Sequence, residues 1–332
     1  MARIFVTRTP PGTAIATLRA HGHQVSVWPG ELPPSREALA AALAEADAAL
    51  TMVTDRIDEE LLAGAPSLRI IANMAVGYDN VDPATAARAG VWLTNTPGVL
   101  AETTADMAFA LLMAAARNVV ASDRDSRAGG WKTWSPTAFL GQDVHGATLG
   151  IVGLGEIGQA VALRATGFKM RVVYTGRTRK PDAERVTGAE WLPLDALLRA
   201  SDFVSVHTPL TPETHHLMDA SRFATMKRGA IVINTARGQV VDQDALVAAL
   251  SSGHLGGAAL DVTDPEPLPL THPLYGFPNV IITPHIASAS MATRSKMAEM
   301  AAANILAVLA SREPPNPVNR PAHSGEGRTI GT

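Results

Sequence analysis

Apolar residues along the chain fall into short runs separated by amphipathic stretches. "RIFVT" (3–7), "VSVW" (25–28), "AALTM" (48–52) and "LRIIANM" (68–74) are such runs, and "SREALAAALAEA" (35–46) is a helical pattern between them. Short continuous runs alternating with helices predict strands covered on both faces, hence a parallel sheet. The rhythm returns in "TLGIVG" (148–153), "RVVYT" (171–175), "DFVSVH" (202–207), "AIVINTA" (230–236), "GAALDV" (257–262) and "VIIT" (280–283). The pattern therefore predicts an α/β protein of two halves, each a doubly wound parallel sheet.

Three segments depart from that rhythm. "AETTADMAFALLMAAARNVV" (101–120) is apolar on nearly every side and predicts a helix buried all round, by a domain core or by a second subunit. "ATRSKMAEMAAANILAVLA" (292–310) predicts one further helix, free to pack back on the first half. "REPPNPVNRPAHSGEGRTIGT" (312–332) is rich in Pro, Gly and Ser and reads as a tail without a core role.

Composition narrows the function. The 332 residues leave room for two domains at roughly 150 residues each. A net charge of −3 gives no reason to expect a nucleic acid or an anionic membrane as partner. The absence of cysteine excludes disulfides, thiolate metal sites and thiol catalysis, and no metal site is expected. "MARIFVTRTP" runs straight into a strand without a secretory pattern. "MAFALLMAAA" (107–116) is ten residues long, about half of a membrane span. The expected location is cytoplasmic.

The candidate chemistry begins with Gly153, Gly155 and Gly158, a G-x-G-x-x-G that follows an apolar strand and opens a helix. The first glycine permits the tight turn and the second lets backbone approach a pyrophosphate. The third allows helix and strand to pack closely. An NAD site of this type carries an acid about 20 residues on, at the end of the next strand, to bind the ribose 2′-hydroxyl. Here that place holds Gly176, followed by Arg177, Thr178, Arg179 and Lys180. Cations there would accept a 2′-phosphate, so the cluster predicts NADP(H) as preferred cofactor, with NAD(H) as the second choice. The alternative is a solvated basic loop.

Three later stretches, "NTARGQVVD" (234–242), "LDVTDPEPLP" (260–269) and "ITPHIASAS" (282–290), place ionisable groups at strand ends. Open α/β sheets bind ligands there. Arg237 offers a planar fork for a carboxylate, and Glu266 with His285 a carboxylate–imidazole pair that favours a held proton. Taken singly, a surface arginine, a proline-rich turn and a structural histidine explain the same residues, and spacing alone does not join them.

Joined with "AVGYDN" (75–80), "TTADMAFALLM" (103–113), "GGWKTW" (129–134), "GLGEIGQA" (153–160) and "TPHIASA" (283–289), these stretches resemble the D-isomer-specific 2-hydroxyacid dehydrogenases. Within that family the likeness is to the glyoxylate/hydroxypyruvate reductases, over roughly residues 3–318. The resemblance implies a flavodoxin-like substrate-binding domain from 1–98 and 288–318 and a Rossmann domain at 99–287. It leaves 319–332 as a tail and sets the active site in the cleft between the domains.

By the same resemblance His285 is the general acid, Glu266 orients it, and Arg237 holds the substrate carboxylate. Val76 and Gly77 bind that carboxylate through backbone. The cofactor would be met by Thr104, by the loop Gly153, Leu154, Gly155, Glu156, Ile157 and Gly158, and by Gly176, Arg177, Thr178 and Arg179. It would also be met by His207, Thr208, Pro209, Thr214, Thr235, Ala236, Asp261 and Ala287. Glu156 stands where "GLGRIG" relatives carry Arg. Glu266, where formate-oxidising relatives pair His with Gln, argues against formate. The chain stops soon after "PPNPVN", with no room for the regulatory domain of longer phosphoglycerate dehydrogenases.

The implied function is NADPH-dependent reduction of glyoxylate and hydroxypyruvate, to glycolate and D-glycerate. The implied assembly is a homodimer through 101–134, with Trp131 and Trp134 in the dimer core or reaching the partner. The alternatives are a broader or NAD-linked D-2-hydroxyacid dehydrogenase, and a nucleotide-sensing, corepressor-like binding protein.

Overall fold

The computed structural model describes residues 1–321, and the chain forms two compact units. One unit runs to Leu100 and resumes at Ala289; the other is Ala101–Ser288.

The first unit holds strands β1 (Arg3–Val6), β2 (Gln24–Val27), β3 (Ala48–Thr51), β4 (Ile70–Asn73) and β5 (Trp92–Thr94). They form one parallel sheet in the order β2-β1-β3-β4-β5, the flavodoxin-like arrangement. Phe5, Ala49, Ile71 and Leu93 join Leu39, Leu43, Leu61 and Leu62 of two short helices in one core. The helix Met291–Leu309 packs on β3 and β4 beside the helix Ala14–Ala20. Its start is set by Ser290, whose hydroxyl accepts from Thr293 N at 3.1 Å.

The Pro-rich stretch after this helix is not a loose tail where it is described. Val318 N donates to Leu93 O at 2.8 Å, and Asn319 Oδ1 accepts from Leu93 N at 2.8 Å. Asn319 Nδ2 donates to Val91 O at 3.0 Å and to Pro83 O at 3.2 Å. These bonds cover the open edge of β5, whose backbone groups would otherwise lack partners. Residues 322–332 of the expected tail lie outside the described residues.

The second unit holds β6 (Thr148–Val152), β7 (Arg171–Thr175), β8 (Glu190–Trp191), β9 (Phe203–Val206), β10 (Ile231–Asn234), β11 (Gly257–Leu260) and β12 (Val280–Ile282). Their order is β12-β11-β10-β9-β6-β7-β8, all parallel, with the strand order switching sides between β6 and β9. This is the Rossmann arrangement; the sequence pattern predicts neither its edge strand β8 nor β5 of the first unit.

The helix predicted over 101–120 breaks. It runs Ala101–Ala116, and a second helix, Val119–Arg127, leaves at 64° after Asn118 takes a left-handed conformation. Its apolar surround is explained first by its own unit. Ala105, Ala108, Phe109, Leu111 and Leu112 are buried in a core with Leu149, Ile151, Ile233 and Ala259. No single helix among the described residues is long and apolar enough to cross a membrane.

Candidate active site

The glycine turn leaves β6 with Gly153 at φ +102°, a conformation L side chains avoid. A Cβ built there would lie 2.6 Å from the His207 carbonyl oxygen, so only glycine lets the turn approach the end of β9. A Cβ on Gly158 would overlap the Gly153 carbonyl, which presses the helix Glu156–Thr166 onto its own turn. Gly155 faces open space, with nothing within 4 Å of such a Cβ. No side chain caps this helix, so its first N–H groups and the positive end of its dipole point at that space. Leu154 is buried beneath the turn, Ile157 is partly buried, and Glu156 is exposed.

Polar groups converge near the same strand ends. Thr235 Oγ1 is buried and has no hydrogen-bond partner among the described residues. His207 Nε2 lies 2.8 Å from Ser205 Oγ, and loss of water lowers the imidazole to about 4, so it is neutral at physiological pH. Thr208 beside it is partly buried and Pro209 exposed. Thr214 spends its hydroxyl on the turn itself, donating to Pro209 O at 2.6 Å and accepting from Thr211 N at 2.7 Å. Thr104 is buried on the helix Ala101–Ala116. An open glycine turn, an uncapped helix start and an orphaned hydroxyl are what a dinucleotide's phosphates and amide require.

The basic cluster divides. Arg179 forms a bidentate pair with Glu184, Nε to Oε1 and Nη2 to Oε2 both at 2.8 Å. Tyr174 OH donates to Glu184 Oε1 at 2.7 Å and accepts from Lys180 N at 2.7 Å. Arg179 first and Tyr174 second draw the Glu184 carboxyl down to about 2. Arg179 is therefore turned onto the helix Pro181–Thr187, away from the grouping expected of it. Gly176, Arg177 and Thr178 remain exposed. Glu213 is held below the usual carboxylate range by Thr211 and its own backbone N–H, with a smaller pull from Arg177. Arg177 thus lies within electrostatic reach of Glu213 in the turn 209–214.

Glu266 and His285, 19 residues apart, meet: Glu266 Oε2 lies 3.0 Å from His285 Nδ1, and Glu266 Oε1 accepts from Thr263 N at 3.2 Å. The two side chains are 34% and 32% exposed, reachable by a small molecule yet fixed. His285 sits at φ +52°, held there by its neighbours. Its N–H donates to Asp261 O at 2.9 Å. The Asp261 carboxylate, 1% exposed, accepts from Thr283 Oγ1 at 2.6 Å, Ile286 N at 2.8 Å and Ala287 N at 2.7 Å. Asp261 and Ala287 were expected as cofactor contacts; here three of about four acceptor sites on that carboxylate tie down the histidine's turn. Arg237 follows β10 on a turn shaped by Asn234, which donates to Arg237 O at 2.8 Å and accepts from Ala236 N at 2.9 Å.

In the first unit, the carbonyls of Val76 and Gly77 are drawn inward by Asn95 Nδ2 at 2.9 Å and Asn73 Nδ2 at 3.0 Å. Among the described residues no hydrogen bond reaches their N–H groups, which makes a pair of donors suited to a carboxylate. Asn80 braces the adjoining turn, donating to Asp55 O at 2.9 Å and Met52 O at 3.2 Å. Asn73, Asn80, Asn95, Asn234 and Thr283 escaped the sequence reading. Their only signal was a polar residue at a strand end inside an otherwise apolar motif.

A Rossmann sheet with an open glycine turn, and a histidine–carboxylate pair at its strand ends, mark a nucleotide-dependent dehydrogenase. The family model "D-isomer specific 2-hydroxyacid dehydrogenase, NAD binding domain" matches residues 109–287, and the chain belongs to that family of NAD(P)-dependent enzymes. It is 51% identical over 319 residues to a glyoxylate reductase of Korarchaeum cryptofilum, covering 96% of each chain. The solved TT0316 protein of Thermus thermophilus superposes with a TM-score of 0.90 at 53% identity, over 95% of this chain and 99% of that one. An NADPH-dependent glyoxylate/hydroxypyruvate reductase of Sinorhizobium meliloti, solved with citrate, has a TM-score of 0.83 at 30% identity, over 96% and 98%.

Proposed function

We propose that this enzyme reduces glyoxylate to glycolate and hydroxypyruvate to D-glycerate, with NADPH as preferred donor. The observation that carries the reading is the Glu266–His285 contact at 3.0 Å on a tethered turn, in a chain half identical to a named glyoxylate reductase. Nicotinamide, when bound, supplies the hydride. Glu266 accepts a hydrogen bond from His285 Nδ1–H and so orients the ring, whose doubly protonated form carries a second proton on Nε2 for the substrate. His285 gives that proton to the carbonyl oxygen as it becomes a hydroxyl. Arg237 presents its fork to the substrate carboxylate. The Val76 and Gly77 N–H groups suit the same carboxylate chemistry. The preference for NADPH rests on Gly176 in place of an acid, with Arg177 beside it, and on the NADPH dependence of the Sinorhizobium relative.

The test is the initial rate of nicotinamide oxidation with glyoxylate, then hydroxypyruvate, comparing NADPH with NADH. A higher kcat/KM with NADPH is expected, and an NADH preference removes the 2′-phosphate reading. His285→Ala should lower turnover by at least about 100-fold at unchanged NADPH affinity. Nucleotide binding without turnover of any 2-keto acid would instead favour a sensor.

A homodimer through 101–134 is part of this proposal. Val119, Val120, Trp131 and Trp134 are 51%, 37%, 75% and 80% exposed, as are Phe139 and Leu140 just beyond at 45% and 72%. Such a patch is unusual on a monomer. Light scattering should give twice the chain mass, and Trp131→Ser with Trp134→Ser should shift it toward monomer.

A further inference from the structure

The turn that carries Glu266 is gripped from the segment that follows Arg237. Gln243, first residue of the helix Gln243–Ser251, accepts at Oε1 from Asp264 N at 3.0 Å and donates from Nε2 to Asp264 O. One side-chain amide thus occupies both backbone groups of the residue two before Glu266. Gln239 Nε2 adds a bond to Asp264 Oδ1 at 3.0 Å. A Cβ on Gly238 would overlap the Thr263 carbonyl, so the two turns lie backbone against backbone. Thr263 in turn donates its N–H to Glu266 Oε1 at 3.2 Å. The helix start that presents Gln243 is itself fixed by Asp242, which accepts from Ala245 N at 3.0 Å.

The chemistry requires this amide. A carboxylate in its place still accepts from the Asp264 N–H but sets an anion against the Asp264 carbonyl. An apolar side chain leaves both groups unpaired. The path is continuous, from Gln243 through Asp264 and Thr263 to Glu266 and then His285 Nδ1. We infer that Gln243 is a positioning residue, which sets the Glu266 carboxylate against His285 by holding the 263–266 turn to the Arg237 segment. This rests on the proposed role of Glu266 as the orienting carboxylate, and it adds a residue that does not touch the reacting atoms.

The experiment is a double-mutant cycle on the full chain with Gln243→Leu, Glu266→Gln and both together. It is assayed with NADPH and the 2-keto acid turned over fastest, with NADPH affinity titrated separately. Gln243→Leu should lower kcat by about tenfold or more, because a displaced catalytic group is costly, with NADPH affinity unchanged. In the Glu266→Gln background the same substitution should add little, since both act on one contact. Gln243→Glu, close in shape to the native side chain, should lower kcat less than Gln243→Leu and serves if the leucine variant does not fold. Wild-type kcat in the Gln243 variants, or an equal fold-loss in both backgrounds, overturns the proposal. Wild-type turnover in Glu266→Gln alone overturns the parent reading, and this proposal with it, in a variant that leaves Gln243 untouched.

Discussion

Arg177 and Arg179 stand two positions apart and differ in what already holds them. Arg179 has a carboxylate partner in Glu184, whose remaining contact is the Tyr174 hydroxyl. Among the described residues Arg177 shows only a weak electrostatic pull on Glu213. A 2′-phosphate would have to compete with Glu184 for the first and finds the second available. Arg177→Ala should therefore raise KM for NADPH about tenfold, one charge-assisted hydrogen bond, and leave KM for NADH unchanged. Arg179→Ala should loosen the loop and affect both cofactors alike. Paired titrations with the two nucleotides check it, and equal sensitivity to NADPH in both variants would mean that Arg179 leaves Glu184 for the phosphate. Gly176 tolerates the complementary change to Asp: its φ is not left-handed, and the nearest atom to an added Cβ is Thr178 O at 3.8 Å.

Elements were legible where burial writes a continuous apolar run. β3, β4, β9, β10 and β11 are buried at every position, and each announced itself. β5 is three residues long and β8 two, the latter exposed at both positions, so neither leaves a period to read. The kink at Asn118 is masked because apolar residues resume at Val119 after only Arg117 and Asn118; the left-handed backbone of Asn118 breaks the helix there. The same limit applies at the site. Strand ends located Arg237, Glu266 and His285, but the tethers that fix them join residues far apart in sequence, and a lone asparagine or aspartate does not say which backbone it will bind. Asn319 is one such case, bound to Leu93 from 226 residues away. Asn319→Ala should strip two hydrogen bonds from the β5 edge and a third from Pro83 O, and cost about 1–3 kcal/mol, since Leu93 N and Val91 O lose partners. Urea unfolding would read this as a lower midpoint at constant slope; an unchanged midpoint would mean water replaces the asparagine on that edge.

At the scale of the whole molecule, the closeness of packing that makes the glycine turn also sets a pH limit. His207 closes the end of β9 against Gly153, and the burial that lets the two backbones approach keeps its ring from taking a proton until about 4. An unfolded chain protonates the same ring near its ordinary value of about 6.5. Between those values the unfolded state binds more protons, so stability is complete above about 6.5 and falls as pH drops toward 4. The loss reaches on the order of 2–3 kcal/mol for this one residue. Glu184, drawn down to about 2 by Arg179 and Tyr174, acts in the same direction but later, as pH falls below its ordinary value. Two successive losses should therefore appear, the first from the cofactor turn and the second from the loop beside it. His207→Gln keeps a polar partner for Ser205 and removes the titrating ring, so it should flatten the unfolding free energy between pH 6.5 and 4 and leave the lower step in place. Denaturant unfolding across that range measures both slopes. An identical slope in the variant would assign the upper step to another histidine and release His207 from the account.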